Sequence, residues 1–150
     1  MNRDFRDLFA ELNAHSVEYL VVGAHALAVH GHVRATRDLD VWVRPDPANA
    51  RRVFDALASF GAPTQQITVA DLAQPGLILQ IGVPPVRIDV LTSIDGVEFG
   101  ESWPARVKAR FADQEVNVLS KEHMIRNKRA SGRTQDLADV EALEGRGRED

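Results

Sequence analysis

Two aspartates, two residues apart, open an apolar segment of the chain. Asp38 and Asp40 flank Leu39, and apolar residues continue to position 43. Side chains alternate between the two faces of a strand, so a strand here points both carboxylates to one face and Leu39 to the other. Asp89 occupies the same alternating position in a second apolar segment, 87–91. If the two strands are neighbours, the three carboxylates converge.

Three convergent carboxylates without a His or Cys partner are hard oxygen ligands, which favour Mg²⁺ or Mn²⁺ over zinc. The chain has no Cys, which excludes thiolate zinc sites, disulfides and cysteine nucleophiles. Two such ions hold a nucleoside triphosphate, activate an attacking hydroxyl and neutralise the leaving pyrophosphate. We therefore predict that Asp38 and Asp40 bind both ions, and that Asp89 binds the catalytic ion and helps to activate the nucleophile.

Gly23 lies between an apolar segment, 19–22, and an Ala-rich segment, 24–29. This order predicts a strand, a tight turn and a short helix. Because glycine has no side chain, backbone N–H groups at such a turn can approach phosphates closely. Gly23 is therefore predicted to line the triphosphate.

The order of Gly23, Asp38, Asp40 and a later strand aspartate, Asp89, resembles the nucleotidyltransferase superfamily that includes DNA polymerase beta. The chain is similar in particular to its minimal bacterial members and to abortive-infection-type toxin nucleotidyltransferases. That family has Gly followed by Gly or Ser, a spacer, Asp-x-Asp or Asp-x-Glu, and then a lone Asp on a strand. Ala24 departs from this pattern, because Ser or Gly is more common there.

The resemblance implies transfer of a nucleoside monophosphate (NMP) from an NTP to an acceptor hydroxyl, with Mg²⁺ or Mn²⁺ as cofactor. The approach to Asp38 is similar to the basic, Thr-containing segment of the minimal members. It implies nucleotide-binding roles for Arg34, Thr36 and Arg37, alongside Gly23 and Ala24 at the turn. An arginine here would compensate for the missing hydroxyl at position 24, because guanidinium binds phosphate in a bidentate manner.

The toxin-like branch is also similar downstream, where a helical Lys precedes an Arg and a closely spaced acidic pair. Lys128, Arg133, Asp136 and Asp139 reproduce that order. The resemblance implies that Lys128 is catalytic and offsets charge on the leaving phosphates. It implies that Asp136 belongs to the nucleotide-binding residues and helps to position this lysine or the acceptor.

The acceptor stays open at this point. RNA ends, a side chain of a partner protein and a small molecule such as an aminoglycoside all remain, and the basic run 121–133 is either a solvated helix face or an RNA contact. The alternative to an enzyme is a catalytically weak nucleotide-binding or antitoxin-like module with a cognate partner protein, as in a toxin–antitoxin pair. A purely structural domain is the third interpretation.

Hydrophobic periodicity predicts the elements that position these residues. The pattern indicates an α/β (α+β) domain: a mixed β-sheet with packed helices in the nucleotidyltransferase-like fold, with two C-terminal helices. A single domain is expected over 1–144, with the helical pair at about 120–144 and a flexible tail at 145–150. Predicted helices cover 5–12, 24–29, 47–60, 120–131 and 134–144, and predicted strands cover 19–22, 39–44, 77–83, 86–91, 107–111 and 115–119.

Several side chains carry predictions of their own. Leu137, Val140 and Leu143 are expected to face the core, and Asp136 and Asp139 to share a polar helix face. Trp42 and Trp103 are predicted to pack in the core or at its rim. The histidines, at positions 15, 25, 30, 32 and 123, lack metal-binding spacing and are predicted to lie at the surface or in turns.

Composition bounds the class of protein. The chain has 150 residues, of which 44% are apolar and 27% charged, and its formal net charge is −4, so it has no global basic field for nucleic acid. Charged residues stand at positions 3, 4, 6 and 7, where a signal peptide needs apolar ones. No segment approaches the roughly 20 apolar residues of a membrane span. We expect a cytoplasmic protein without a membrane partner.

Overall fold

The computed structural model describes residues 3–33, 36–82 and 86–148. Helices and strands are interspersed along these ranges. In chain order they are α1 Arg3–Ala14, β1 Tyr19–Val22, α2 Gly23–Val29, β2 Asp38–Val43, α3 Pro47–Phe60, α4 Val69–Leu72, β3 Ile78–Ile81, β4 Arg87–Leu91, α5 Phe99–Ser102, β5 Val107–Phe111, β6 Gln114–Val118, α6 Lys121–Ser131 and α7 Thr134–Arg148.

The strands form one six-stranded sheet in the order β3-β4-β2-β1-β6-β5. Pairs β1·β2, β3·β4 and β5·β6 are antiparallel, whereas β2·β4 and β1·β6 are parallel. The predicted α/β fold with a mixed sheet is therefore confirmed. Parallel pairing of β2 with β4 places strands distant in the chain side by side.

The register of β2 and β4 settles which side chains are neighbours. Asp38 lies opposite Arg87, and Asp40 lies opposite Asp89. Leu39, opposite Ile88, faces the core with 0% exposure. The condition for convergence of the carboxylates is met, because the two aspartate-bearing strands are adjacent.

The helix boundaries follow the local signals in the chain. The side chain of Asp46 accepts a hydrogen bond from the Asn49 N–H at the start of α3, and Gly61 ends this helix with φ +96°. Ser120 caps α6 in the same way through the His123 N–H, and Gly132 ends it with φ +69°. A left-handed residue at the helix end favours glycine, because a Cβ is strained there.

The sheet and helices enclose an aromatic core. Trp42 is 1% exposed and meets Phe99 edge-to-face at 5.0 Å, and Trp103 stacks on Phe99 at 5.7 Å. Both tryptophans therefore pack in the core or at its rim, as predicted. The described ranges contain no helix of the length and hydropathy that a membrane crossing requires.

The C-terminal helix differs from its prediction. Leu137 is 50% exposed, whereas Asp136 and Asp139 are 2% and 0% exposed. The buried stripe of α7 consists of residues 136, 139, 140 and 143, at the i, i+3, i+4, i+7 spacing of one helix face, and position 137 falls outside it. The prediction for Leu137 is wrong because both aspartates pair with the buried Lys128, so the helix face that carries them is the buried one.

Two boundaries and two short helices also differ from the prediction. The helix α7 continues to Arg148, past Gly145, where the sequence predicts a tail, since a glycine weakens a helix by about 1 kcal/mol without ending it. The β5–β6 loop has two residues rather than three, with Ala112 at φ +57°. The short helices α4 and α5 have no counterpart in the sequence prediction, because four residues are too few for a periodic pattern.

Candidate active site

A cleft of about 760 Å³ opens beside strands β2 and β4. Its lining also includes the β1–α2 turn, part of α6 and the segment 93–95. Its size is that of a small-molecule site. Most residues to which the sequence assigns chemistry line it, and they are Gly23, Ala24, Thr36, Asp38, Asp40, Asp89 and Lys128.

The three strand aspartates lie together on one side of the cleft. Burial, and then the charges of Asp89 and Asp38, raise the pKa of Asp40 to about 6 against the opposing effect of Arg87. Asp89 is 8% exposed. Carboxylates held this close repel one another unless a proton or a cation lies between them.

Arg87 is a site residue that the sequence reasoning missed. Its Nη2 lies 3.1 Å from Oδ2 of Asp38 and 3.3 Å from Oδ2 of Asp89, and its Nε lies 3.1 Å from Oδ1 of Asp89. A signal was available, because a residue two positions before Asp89 shares its face of the strand. The guanidinium is the cation that offsets the carboxylate charge in this structure.

Gly23 packs directly on Asp40. Its φ is +71°, and a Cβ placed there would lie 2.2 Å from Oδ2 of Asp40. A glycine is therefore required at the turn for both conformation and space. Ala24, the next residue, is 8% exposed at the cleft wall.

Thr36, which precedes β2, lines the cleft. The Thr36 hydroxyl accepts a hydrogen bond from the Asp38 N–H at 3.2 Å, and so holds the start of the strand. Arg37 is exposed, and its carbonyl accepts the Arg87 N–H at 3.5 Å. The predicted nucleotide contact at Arg34 lies outside the described residues.

Lys128 lies in the same cleft, 6% exposed, between the acidic pair. Its Nζ is 3.2 Å from Oδ1 of Asp136 and 3.2 Å from Oδ2 of Asp139. Burial opposes ionisation of Asp136, but hydrogen bonds from Arg133 and Lys128 outweigh it and lower its pKa. The resemblance named Lys128 and Asp136 as site residues, and the structure places them in direct contact.

The three arginines of the basic run 121–133 pair with acids of the chain itself. Arg126 pairs with Glu101 at 3.1 Å, and Arg129 pairs with Glu144. Arg133 donates to Oδ2 of Asp136 at 2.8 Å. Charges compensated in this way attract a phosphate backbone less than free ones do.

The histidines only partly follow their prediction. His123 is buried, with 7% exposure, so a surface or turn position is wrong for it. His25 packs edge-on against Phe5 at 5.5 Å, and burial lowers its pKa. A histidine on the inner face of a helix becomes part of the core, and single-residue patterns do not reveal that face.

The three carboxylates suit a hard divalent cation by type, although Arg87 pairs with two of them in this structure. Within the described ranges, no group of three His, Asp or Glu side chains is arranged to hold a metal ion. The guanidinium pairs with two of the three carboxylates. The oxygen donors, their shared sheet face and their mutual repulsion nevertheless fit a divalent cation by type and charge.

Residues 3–146 match the family model described as nucleotidyltransferase of unknown function, DUF6036. The match covers nearly the whole chain. The chain therefore belongs to this family of nucleotidyltransferases, which confirms the resemblance to minimal nucleotidyltransferases. No curated protein sequence matches it significantly.

Solved structures show the same fold at low sequence identity. TM1012 from Thermotoga maritima, described as a nucleotidyltransferase, has a TM-score of 0.61 at 13% identity and covers 99% of this chain and 92% of its own. ANT(2")-Ia in complex with adenylyl-2"-tobramycin has a TM-score of 0.61 at 13% identity, over 93% and 84% of the two chains. The lincosamide antibiotic adenylyltransferase LnuA, with lincomycin bound, has a TM-score of 0.57 at 14% identity, over 96% of both chains.

Proposed function

We propose that this protein transfers NMP from an NTP to an acceptor hydroxyl in a reaction that depends on a divalent cation. The observation that carries the proposal is the β2·β4 register, in which Asp40 lies opposite Asp89 and Asp38 is two residues away on the same face. Family membership supports the reaction class.

Asp38, Asp40 and Asp89 are the residues that would hold Mg²⁺ or Mn²⁺. When bound, such a cation polarises the α-phosphate and offsets the charge of the pyrophosphate. The acceptor hydroxyl attacks the α-phosphorus, an O–P bond forms, the bond to the bridging oxygen breaks, and pyrophosphate leaves. In this proposal Asp89 accepts the hydroxyl proton, and its position in the cleft lining, opposite Asp40 in the strand register, supports that role.

Other residues of the cleft bind and orient the nucleotide in this proposal. Gly23 and Ala24 line the cleft beside Asp40 and border the triphosphate. Thr36 fixes the start of β2, and Arg37 and Arg34 supply phosphate contacts from the preceding segment. These roles keep the nucleotide along the wall that carries the carboxylates.

Lys128 supplies positive charge to the departing pyrophosphate. Its Nζ is held in place inside the cleft by ion pairs to Asp136 and Asp139. Asp136 is therefore a positioning residue, because it acts through the lysine. Arg133, 79% exposed at its side chain, adds charge at the cleft rim.

We propose a small hydroxylated molecule as the acceptor, in preference to RNA. Arg126 and Arg129 of the basic run are paired with glutamates of the chain, which leaves less free charge for a nucleic-acid backbone. The fold relatives solved with adenylyl-tobramycin and with lincomycin support a small-molecule acceptor. A cleft of about 760 Å³ has room for one beside a nucleotide.

The experiment that tests the function supplies each of the four α-labelled NTPs with Mg²⁺ or Mn²⁺ and three acceptor fractions: total RNA, protein, and small molecules of the cell. Label in the small-molecule fraction, lost on EDTA addition and in Asp40→Asn, is the expected result. Asp55→Asn, an exposed helix substitution, is the matched control and retains transfer. Nucleotide binding without any labelled product would instead indicate the weakly catalytic or antitoxin-like module.

A further inference from the structure

Arg87 occupies the centre of the carboxylate cluster. It contacts Asp38 and Asp89, and its side chain is 32% exposed at the cleft. Two of the three predicted metal ligands are therefore already paired with a cation of the chain. The third, Asp40, lies beside Asp89 in the strand register.

The contacts show why an arginine is suited to this position. The guanidinium spans both oxygens of Asp89 through Nε and Nη2, and its Nη2 also reaches Asp38. A planar fork makes several such contacts at once, whereas a lysine ammonium is a point charge. Arg87 lies on the same strand as Asp89 and opposite Asp38, so the strand pairing fixes its backbone beside both carboxylates, while its side chain is free to change partner.

We propose that Arg87 is a resident counter-ion of the site, which stabilises the carboxylate cluster without metal and which a divalent cation must displace from Asp38 and Asp89 to bind. The inference rests on the proposed metal-dependent function. Its consequence is that the metal affinity of the nucleotide-free protein is held down by the arginine. Metal binding then becomes favourable chiefly when a triphosphate supplies further oxygen ligands and a partner for the freed guanidinium.

The electrostatic reason is the sum of charges. Three carboxylates and one guanidinium carry a lower net negative charge than three carboxylates alone. A positive charge within ion-pair distance of two ligands opposes a second cation at the same oxygens, most strongly where solvent screening is weak. Removal of Arg87 therefore raises the affinity for a divalent cation and lowers the stability of the metal-free fold.

The test measures Mn²⁺ binding without nucleotide, by electron paramagnetic resonance and calorimetry, together with the melting temperature in EDTA and in Mn²⁺. Arg87→Gln is expected to bind Mn²⁺ at least about tenfold more tightly than the unmodified protein. Its melting temperature in EDTA is expected to be lower than that of the unmodified protein. The rise in melting temperature on addition of Mn²⁺ is expected to be larger. Arg87→Lys keeps the charge and is expected to bind Mn²⁺ within about threefold of the unmodified protein.

Arg44→Gln is the matched control, because Arg44 is a partly buried arginine paired with Glu18 at 2.8 Å outside the carboxylate cluster. It loses stability without a change in Mn²⁺ affinity. Equal or weaker Mn²⁺ binding in Arg87→Gln, with binding in the unmodified protein, overturns the counter-ion role and leaves the proposed function standing. If Mn²⁺ binds neither protein, with or without NTP, both the role and the metal-dependent function fail.

Discussion

Gly23 and Asp40 are in such close contact that a Cβ on the glycine would lie 2.2 Å from a carboxylate oxygen. The contact joins the β1–α2 turn to the carboxylate cluster, so the turn sets the position of Asp40. A side chain at position 23 must displace either the turn or the aspartate.

Gly23→Ala is therefore expected to lower the free energy of unfolding by about 2–4 kcal/mol and to abolish transfer, through strain at φ +71° and the clash with Asp40. Gly61→Ala is the matched control. It has φ +96° with nothing within 4 Å of the added methyl, so it measures backbone strain alone, about 1 kcal/mol. Chemical denaturation of both variants gives the difference, and equal losses would contradict the close contact.

Asp40→Asn is expected to raise the melting temperature in metal-free buffer at pH 7.5. The pKa of Asp40 is about 6 in the folded protein, against 3.8 for an aspartate in the unfolded chain. Ionisation of Asp40 therefore destabilises the fold as pH rises between these two values. The gain from the amide is on the order of 1–3 kcal/mol at pH 7.5 and disappears as pH falls towards 4. Melting curves from pH 4 to 8 test this, and a gain that does not vary with pH would refute it.

Lys128→Ala is expected to cost about 3–5 kcal/mol of stability, because it removes the ammonium that contacts both buried carboxylates, Asp136 and Asp139. Loss of transfer in this variant alone is thus ambiguous. Lys128→Met combined with Asp139→Asn removes most of the uncompensated charge and should recover much of that stability. If the double variant folds well but still lacks transfer, the lysine acts on the nucleotide, and restored transfer would make its role structural.

Arg126→Ala combined with Arg129→Ala tests the basic run. Both arginines are exposed and paired with glutamates, so we expect the melting temperature to change by no more than about 2–4 °C. Transfer to a small-molecule acceptor should be retained at all salt concentrations. A weaker acceptor affinity with a flatter salt dependence would point to RNA instead.

The local signals of the chain predicted most of its elements. Asp46 and Gly61 bound α3, and Ser120 and Gly132 bound α6. These signals depend on backbone conformation and hydrogen bonds within a few residues, so the sequence carries them in full. Side-chain alternation is equally local, and for this reason Asp38 and Asp40 could be assigned to one strand face.

Tertiary structure alone decided which charges are buried and what neutralises them. Arg87 meets Asp38 across 49 positions of the chain, and no periodicity within either strand encodes that pairing. The ion pairs of Lys128 with Asp136 and Asp139 likewise bury the acidic face of α7, and Leu137 is exposed as a result. The sequence by itself determined which residues form the carboxylate cluster. Strand order decided that Arg87 is the cation paired with them, because the energy of a charge depends on the groups that the fold brings around it.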